Sequence, residues 1–159
     1  MSQLSLDAVV WPHRITGPVC IRPAKASDVE GLSIYFTGLS STSRNVAMAD
    51  HPGHFTLLAE LRQEEGPGTI IGETRYAYDA AARYGDFAIS VADMFQRKSV
   101  GLQMMNAMER QAGDLGHEMI AAETARANVE MRGLAKKAGY EDSGLGDWFS
   151  VHLAKRLLR

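Results

Sequence analysis

A short polar and basic run, Gln96-Arg97-Lys98-Ser99-Val100-Gly101, separates an apolar strand pattern from a long helical pattern in this 159-residue chain. A strand, a turn rich in exposed amides and a helix N-terminus, in that order, make an anion site. The first N–H groups of a helix have no partner within it, and the helix dipole adds partial positive charge at the same end. Arg97 and Lys98 add formal charge, so the ligand that suits this turn is a phosphate-like anion. The residues around the turn are arranged to hold it. Asp86-Phe87-Ala88-Ile89-Ser90-Val91 reads as a strand leading in. Residues 99–115 read as a helix, with Val100, Met104, Ala107, Met108 and Ala112 along one stripe. A strand over 118–124 follows, and Asn128-Val129-Glu130-Met131 opens a helix that stops at Gly139-Tyr140.

Other chemistry finds less support in the residues. The five histidines do not cluster at ligand spacing, and His51 and His54 have only Asp50 beside them, so no metal is expected. The single cysteine, Cys20, forms no internal disulfide and has no activating neighbour in sequence. No motif argues for a Ser-His-Asp triad. Lys+Arg 17 against Asp+Glu 19 gives a net charge of -2, so there is no basic field to attract nucleic acid. No apolar run approaches the roughly 20 residues of a membrane span. No basic segment followed by an apolar stretch opens the chain, so no signal peptide, no membrane partner and a cytoplasmic location are expected.

The length suits one domain. Residues 1–17 have no sustained period and are expected to be an N-terminal arm, with the domain over 18–159. Val19 to Pro23 reads as a strand, and Ser27-Asp28-Val29-Glu30 fits a capping box before a helix carrying Val29, Leu32, Phe36 and Leu39. Residues 39–50 are expected to hold a short second helix and a loop. Phe55 to Leu61 and Thr69 to Tyr76 read as a hairpin across a Gly-Pro-Gly turn. Residues 148–155 alternate as a final strand. The predicted order is β-α-α-β-β-β-α-β-α-β-β, an α/β (α+β) mixed, mostly antiparallel twisted sheet with helices on both faces. Only the crossover after Val91 demands parallel pairing.

This order and these motifs resemble the GCN5-related N-acetyltransferase (GNAT) superfamily from about Val19 to the C-terminus. The family's loop is Gln or Arg, two residues, Gly, one residue, then Gly or Ala; here Gln96 and Gly101 match and Ser99 replaces the first glycine. Glycine there lets backbone approach a pyrophosphate and take unusual dihedrals; Ser99 is expected instead to serve as an N-cap. Ile21-Arg22-Pro23, Asp28 and the Leu39-Ser40 to Ser43-Arg44 stretch resemble the subgroup containing bacterial protein lysine acetyltransferases. The aromatics usual after the Ser-Arg pair are replaced by Asn45-Val46-Ala47-Met48.

The resemblance implies an acetyl-CoA-dependent N-acetyltransferase, moving an acetyl group directly from the thioester to a primary amine of a protein lysine or a small molecule. It implies that Val91, Ala92 and Asp93 line the pantetheine arm, that Gln96, Arg97, Lys98, Ser99, Val100, Gly101 and Leu102 hold the pyrophosphate, and that Asn128 bonds the arm. Asn128 also suits a helix N-cap. An alkyl ammonium with a pKa near 10.4 must lose a proton before it attacks. The resembling subgroup has a glutamate ten residues before the loop glutamine, and Asp86 holds that place; Glu123 is the reserve base and Glu73 a weaker third. The tyrosine acid common seven residues after the asparagine is replaced by Ala135, and Tyr140 is expected to pack in the core. The rival reading is a catalytically weak acyl-CoA-binding sensor. The chain is expected to be a monomer or homodimer.

Overall fold

The computed structural model describes residues 17–37 and 53–157. Seven strands and three helices alternate along them: β1 (Val19–Pro23), α1 (Val29–Thr37), β2 (Phe55–Leu61), β3 (Thr69–Asp79), β4 (Tyr84–Val91), α2 (Val100–Asp114), β5 (Met119–Ala125), α3 (Val129–Lys137), β6 (Glu141–Asp142) and β7 (Ser150–Arg156). One sheet holds all seven strands in the order β1-β2-β3-β4-β5-β7-β6. Every neighbouring pair is antiparallel except β4 and β5, the pair joined by the α2 crossover. The mixed, mostly antiparallel class expected from the pattern is the one found. The expected second helix and the N-terminal arm lie outside the described residues.

Strand alternation sorts side chains onto two faces, and opposed residues share a face. Thr74 points to the face covered by α2, where its hydroxyl meets the Met108 sulfur at 3.7 Å. Met104, Met105, Met108 and Ala112 of α2 are wholly buried there, with Ile120, Val151 and Ala135. Tyr140, expected as packing, is buried and tilted against Phe87. Glu73 and Ser90, opposed across β3 and β4, point to the other face, where Tyr35 of α1 reaches the Ser90 hydroxyl at 2.9 Å. Helices therefore cover both faces; among the described residues, α1 covers only the β2–β4 side of its face.

The start of α1 differs from the expected capping box. A 3-10 turn over Ala26–Asp28 precedes the helix, and Asp28 rather than Ser27 organises it. The Asp28 carboxylate accepts from the Lys25 N–H at 2.7 Å and from both terminal nitrogens of Arg22 at 2.8 and 2.7 Å. Arg22 also donates from Nε to Glu60 at 2.7 Å. An unbroken fork of charge-assisted bonds outcompetes a serine hydroxyl for this position. The Arg22-Pro23 and Asp28 motif is thus a structural clamp joining β1, β2 and the entry to α1.

Candidate active site

β4 and β5 pair in parallel at only two steps, Gly85 with Ile120 and Asp86 with Ala121. Beyond them the strands part, and the N-terminus of α2 and the Asn128 cap of α3 stand at the open end. A gap between parallel strands leaves one edge of β4 without a ladder partner, which is what an extended ligand needs to add itself as a strand. Gly85, at the first of these steps, makes room for the Tyr76 side chain of β3, since a Cβ there would run into its hydroxyl and ring.

The residues after the gap form a pinned loop. Asp93–Phe95 makes a 3-10 turn with Phe95 buried beneath it. The Gln96 side-chain amide donates back to the Val91 carbonyl at 3.0 Å and to Asp93 at 3.2 Å, tying the loop to the end of β4. Ala92 N–H is taken by the Ile71 carbonyl at 2.9 Å. Arg97 pairs with Glu130 in the first turn of α3 at 3.2 Å, both well exposed. Lys98 lies 5.9 Å over the Phe95 ring. Val100 is buried, Leu102 is half-buried, and Gly101 lets Leu134 of α3 close on α2, a built Cβ standing 3.0 Å from it.

Ser99 occupies the N-cap position of α2, as expected, but not in the usual manner. It sits at φ 64° and ψ 5°, and its side chain makes no capping bond. Arg97 has φ 59°. Two non-glycine residues in left-handed conformation within three positions carry a steric cost of about 1–2 kcal/mol each. The serine thus holds the left-handed backbone that a glycine would adopt without strain. Asn128 does cap α3: its side-chain oxygen accepts from the Met131 N–H at 3.1 Å. Ala135, at the place of the missing tyrosine, is wholly buried.

The carboxylates fall on the face that α1 leaves partly open. Asp86 of β4 and Glu123 of β5 point to the same side, since Asp86 is opposed to Ala121, two residues before Glu123. Around them the register brings Ala77, Ala88, Ala121, Ala125 and Ala154, so small side chains leave both carboxylates standing clear. Partial desolvation pushes the Asp86 carboxyl up from its ordinary value; the N–H of Phe87 opposes this, the Glu123 charge adds to it, and His152 offsets it. Glu123 is 58% exposed and stands 3.4 Å from Nε2 of His152 on β7. Glu73, the weaker third choice, is the most buried acid of this face; burial raises its pKa, and Arg75 at 3.0 Å holds it. A shallow groove of about 600 Å³, lined by His54, Tyr78, Asp79, Tyr84 and Asp86, opens at the β3–β4 hairpin end. His152 was not among the residues singled out by sequence, because its relation to Glu123 exists only through the β5–β7 register.

Comparison with known proteins bears on this arrangement. The acetyltransferase (GNAT) family model matches residues 29–140. The GNAT domain of PAT from S. lividans superposes with a TM-score of 0.74 at 22% identity, covering 86% of this chain and 89% of that one. The ribosomal-protein-S5-alanine acetyltransferase of Vibrio fischeri gives 0.73 at 15% identity, covering 93% and 95%. The Salmonella typhimurium protein yncA, solved with its cofactor acetyl-CoA, gives 0.67 at 14% identity, covering 90% and 96%. At these identities the likeness establishes the fold. No curated protein matches the sequence.

Proposed function

This chain belongs to the acetyltransferase (GNAT) family and is an N-acetyltransferase, and from that premise we propose that it transfers the acetyl group of acetyl-CoA directly to a primary amine, with Asp86 and Glu123 as the proton-accepting pair. The observation that carries this reading is the co-location of the β4–β5 gap, the left-handed loop at Ser99 and two same-face carboxylates. The gap and the edge of β4 through Val91 suit the pantetheine arm, with Ala92 and Asp93 closing its end. The amides of residues 97–102 and the N-terminus of α2 suit the pyrophosphate, with Arg97 and Lys98 free to add charge once Arg97 leaves Glu130. Asn128 stands at the mouth of the same gap.

The acceptor amine arrives as an ammonium and must lose a proton before its nitrogen attacks the thioester carbonyl carbon; the carbon–sulfur bond then breaks and the thiolate leaves. Asp86 is the favoured base. A raised carboxyl pKa brings a base nearer to working pH and strengthens it as a proton acceptor. Aspartate is short, so a water between Asp86 and the ammonium fits the distance. Glu123, beside the parting strands, is the second member of the pair. The acidic, alanine-floored face suits a cationic acceptor, and the Arg22-Pro23 and Asp28 resemblance favours a protein lysine over a small amine. The test is release of CoA thiol from acetyl-CoA in the presence of a blocked lysine peptide and of n-butylamine. Thiol release that requires the amine, with acetylated product by mass, supports the transferase reading. Saturable acetyl-CoA binding without thiol release would replace it with the sensor.

A further inference from the structure

We propose that His152 is a positioning residue for this transfer, holding Glu123, the second member of the proton-accepting pair, and relaying to solvent the proton that the pair takes from the acceptor. The proposal rests on the amine-acetylation reading above. Its grounds are geometric. His152 lies directly opposite Glu123 in the β5–β7 ladder, so the two side chains share the open face, and Nε2 stands 3.4 Å from the Glu123 carboxylate. The β7 backbone at this point is fixed from the other side as well: the His152 carbonyl accepts from Ser143 N–H at 2.8 Å and from the Ser143 hydroxyl at 3.2 Å. The imidazole is 37% exposed, so a proton passed to it has a way out to water.

The charged surroundings make the imidazole distinct. Glu123 faces it from β5, Asp86 from β4 and Glu141, opposed to Ala154, from β6; on its own strand the same face carries Ser150, Ala154 and, four positions on, Arg156. Lys155 points to the opposite face, where it holds Glu109. An imidazole takes up a proton on one ring nitrogen and can give one up from the other. It can therefore receive a proton from a neighbouring carboxylic acid and return it to water within one turnover.

The protons balance as follows. The acceptor ammonium gives one proton, through a water, to the Asp86 carboxylate, leaving a neutral amine and a carboxylic acid. The amine nitrogen bonds to the thioester carbon, the carbon–sulfur bond breaks, and the second amine proton reaches the thiolate through solvent. Asp86 passes its proton to its neighbour Glu123, Glu123 passes it to the His152 imidazole, and the imidazolium releases it to water. The sum is ammonium plus acetyl-CoA giving acetamide, CoA thiol and one proton.

The test compares wild-type protein with His152→Gln, which keeps a donor toward Glu123 but does not titrate, and with His152→Ala. Thiol release is followed from pH 6 to pH 9 with the blocked lysine peptide as acceptor. Acetyl-CoA thermal shifts serve as the folding control. The expected result is a kcat about tenfold lower in both variants, an unchanged KM for acetyl-CoA, a flattened pH profile, and partial recovery of His152→Ala by added imidazole. A His152→Gln variant that matches wild type at every pH overturns the role of His152 and leaves the amine reading intact. Wild-type protein that binds acetyl-CoA yet releases no thiol with either the peptide or n-butylamine overturns both.

Discussion

At the scale of single residues, Asp86, the proposed base, sets a stronger proton affinity against a cost to the fold. Its folded-state pKa is raised, chiefly by desolvation. A raised carboxyl contributes stability that is fully present below the unfolded value and is lost as pH rises through the folded value. At neutral pH Asp86 therefore works against folding. Asp86→Asn should raise the Tm slightly at pH 7 and not at pH 3, while lowering kcat about 100-fold at saturating amine. Turnover unchanged in Asp86→Asn would show that the base is elsewhere, with Glu123 next. Ser99 carries a second prediction. In left-handed backbone, Ser99→Gly relieves about 1 kcal/mol of steric cost but loosens the unfolded chain by a similar amount. Its Tm should stay near wild type. Ser99→Val places a β-branched side chain where it fits worst and should cost about 1–2 kcal/mol by chemical denaturation. If valine were harmless, the loop would not hold the conformation described for it.

At the scale of elements, the sequence announced most strands and helices because their periods are strong, and it misjudged the ends where side chains compete for backbone groups. Ser27 and Ser99 both read as helix caps; Asp28 wins at the first through Arg22, and at the second the backbone follows the glycine-like turn. Asn128 caps as its type suggests. The two carboxylates could be found by position, but their shared face, the Glu123–His152 pair and the depth of Glu73 depend on register, which no local pattern encodes. The clamp at the start of α1 can be tested by pH. The Arg22 guanidinium, more than any other group, holds the Asp28 carboxyl below its ordinary value, so its stabilisation is present above the unfolded pKa and fades as pH falls through the folded one. Asp28→Asn should cost about 2 kcal/mol at pH 7, and the difference from wild type should close toward pH 2 in denaturant titrations. Gly85 tests the neighbouring element. Tyr76 is buried, stacked 4.8 Å from Phe55 and bonded to His117 at 2.9 Å, so its ring cannot yield to a new Cβ. Gly85→Ala should cost about 2–3 kcal/mol by chemical denaturation, as the Tyr76 ring is pushed off its partners.

At the scale of the molecule, the one parallel strand pair in an otherwise antiparallel sheet is what the proposed co-substrate site is built on. Antiparallel neighbours can zip along their whole length, and β5 with β7 does so over seven pairs. The crossover through α2 brings β5 in parallel to β4, the two diverge after two pairs, and the divergence points at the N-termini of α2 and α3. The two halves of the sheet meet at that short ladder, with α2 packed across it. A ligand that fills the gap as an extra strand and anchors on the loop would join the halves along a line where the protein alone supplies few bonds. Binding to the folded state alone at 100 times the Kd adds about 2.7 kcal/mol, which for a chain of this size is a rise in Tm of several degrees. Acetyl-CoA should produce that rise, and CoA should do nearly as well, because the acetyl group is a small part of the contact. Ser99→Val should lose most of the rise, since its loop no longer presents the same amides, whereas Asp86→Asn should keep it in full. That contrast separates holding the co-substrate from using it: an equal loss in both variants would mean that the carboxylate face and the phosphate loop are one binding unit rather than two neighbouring ones.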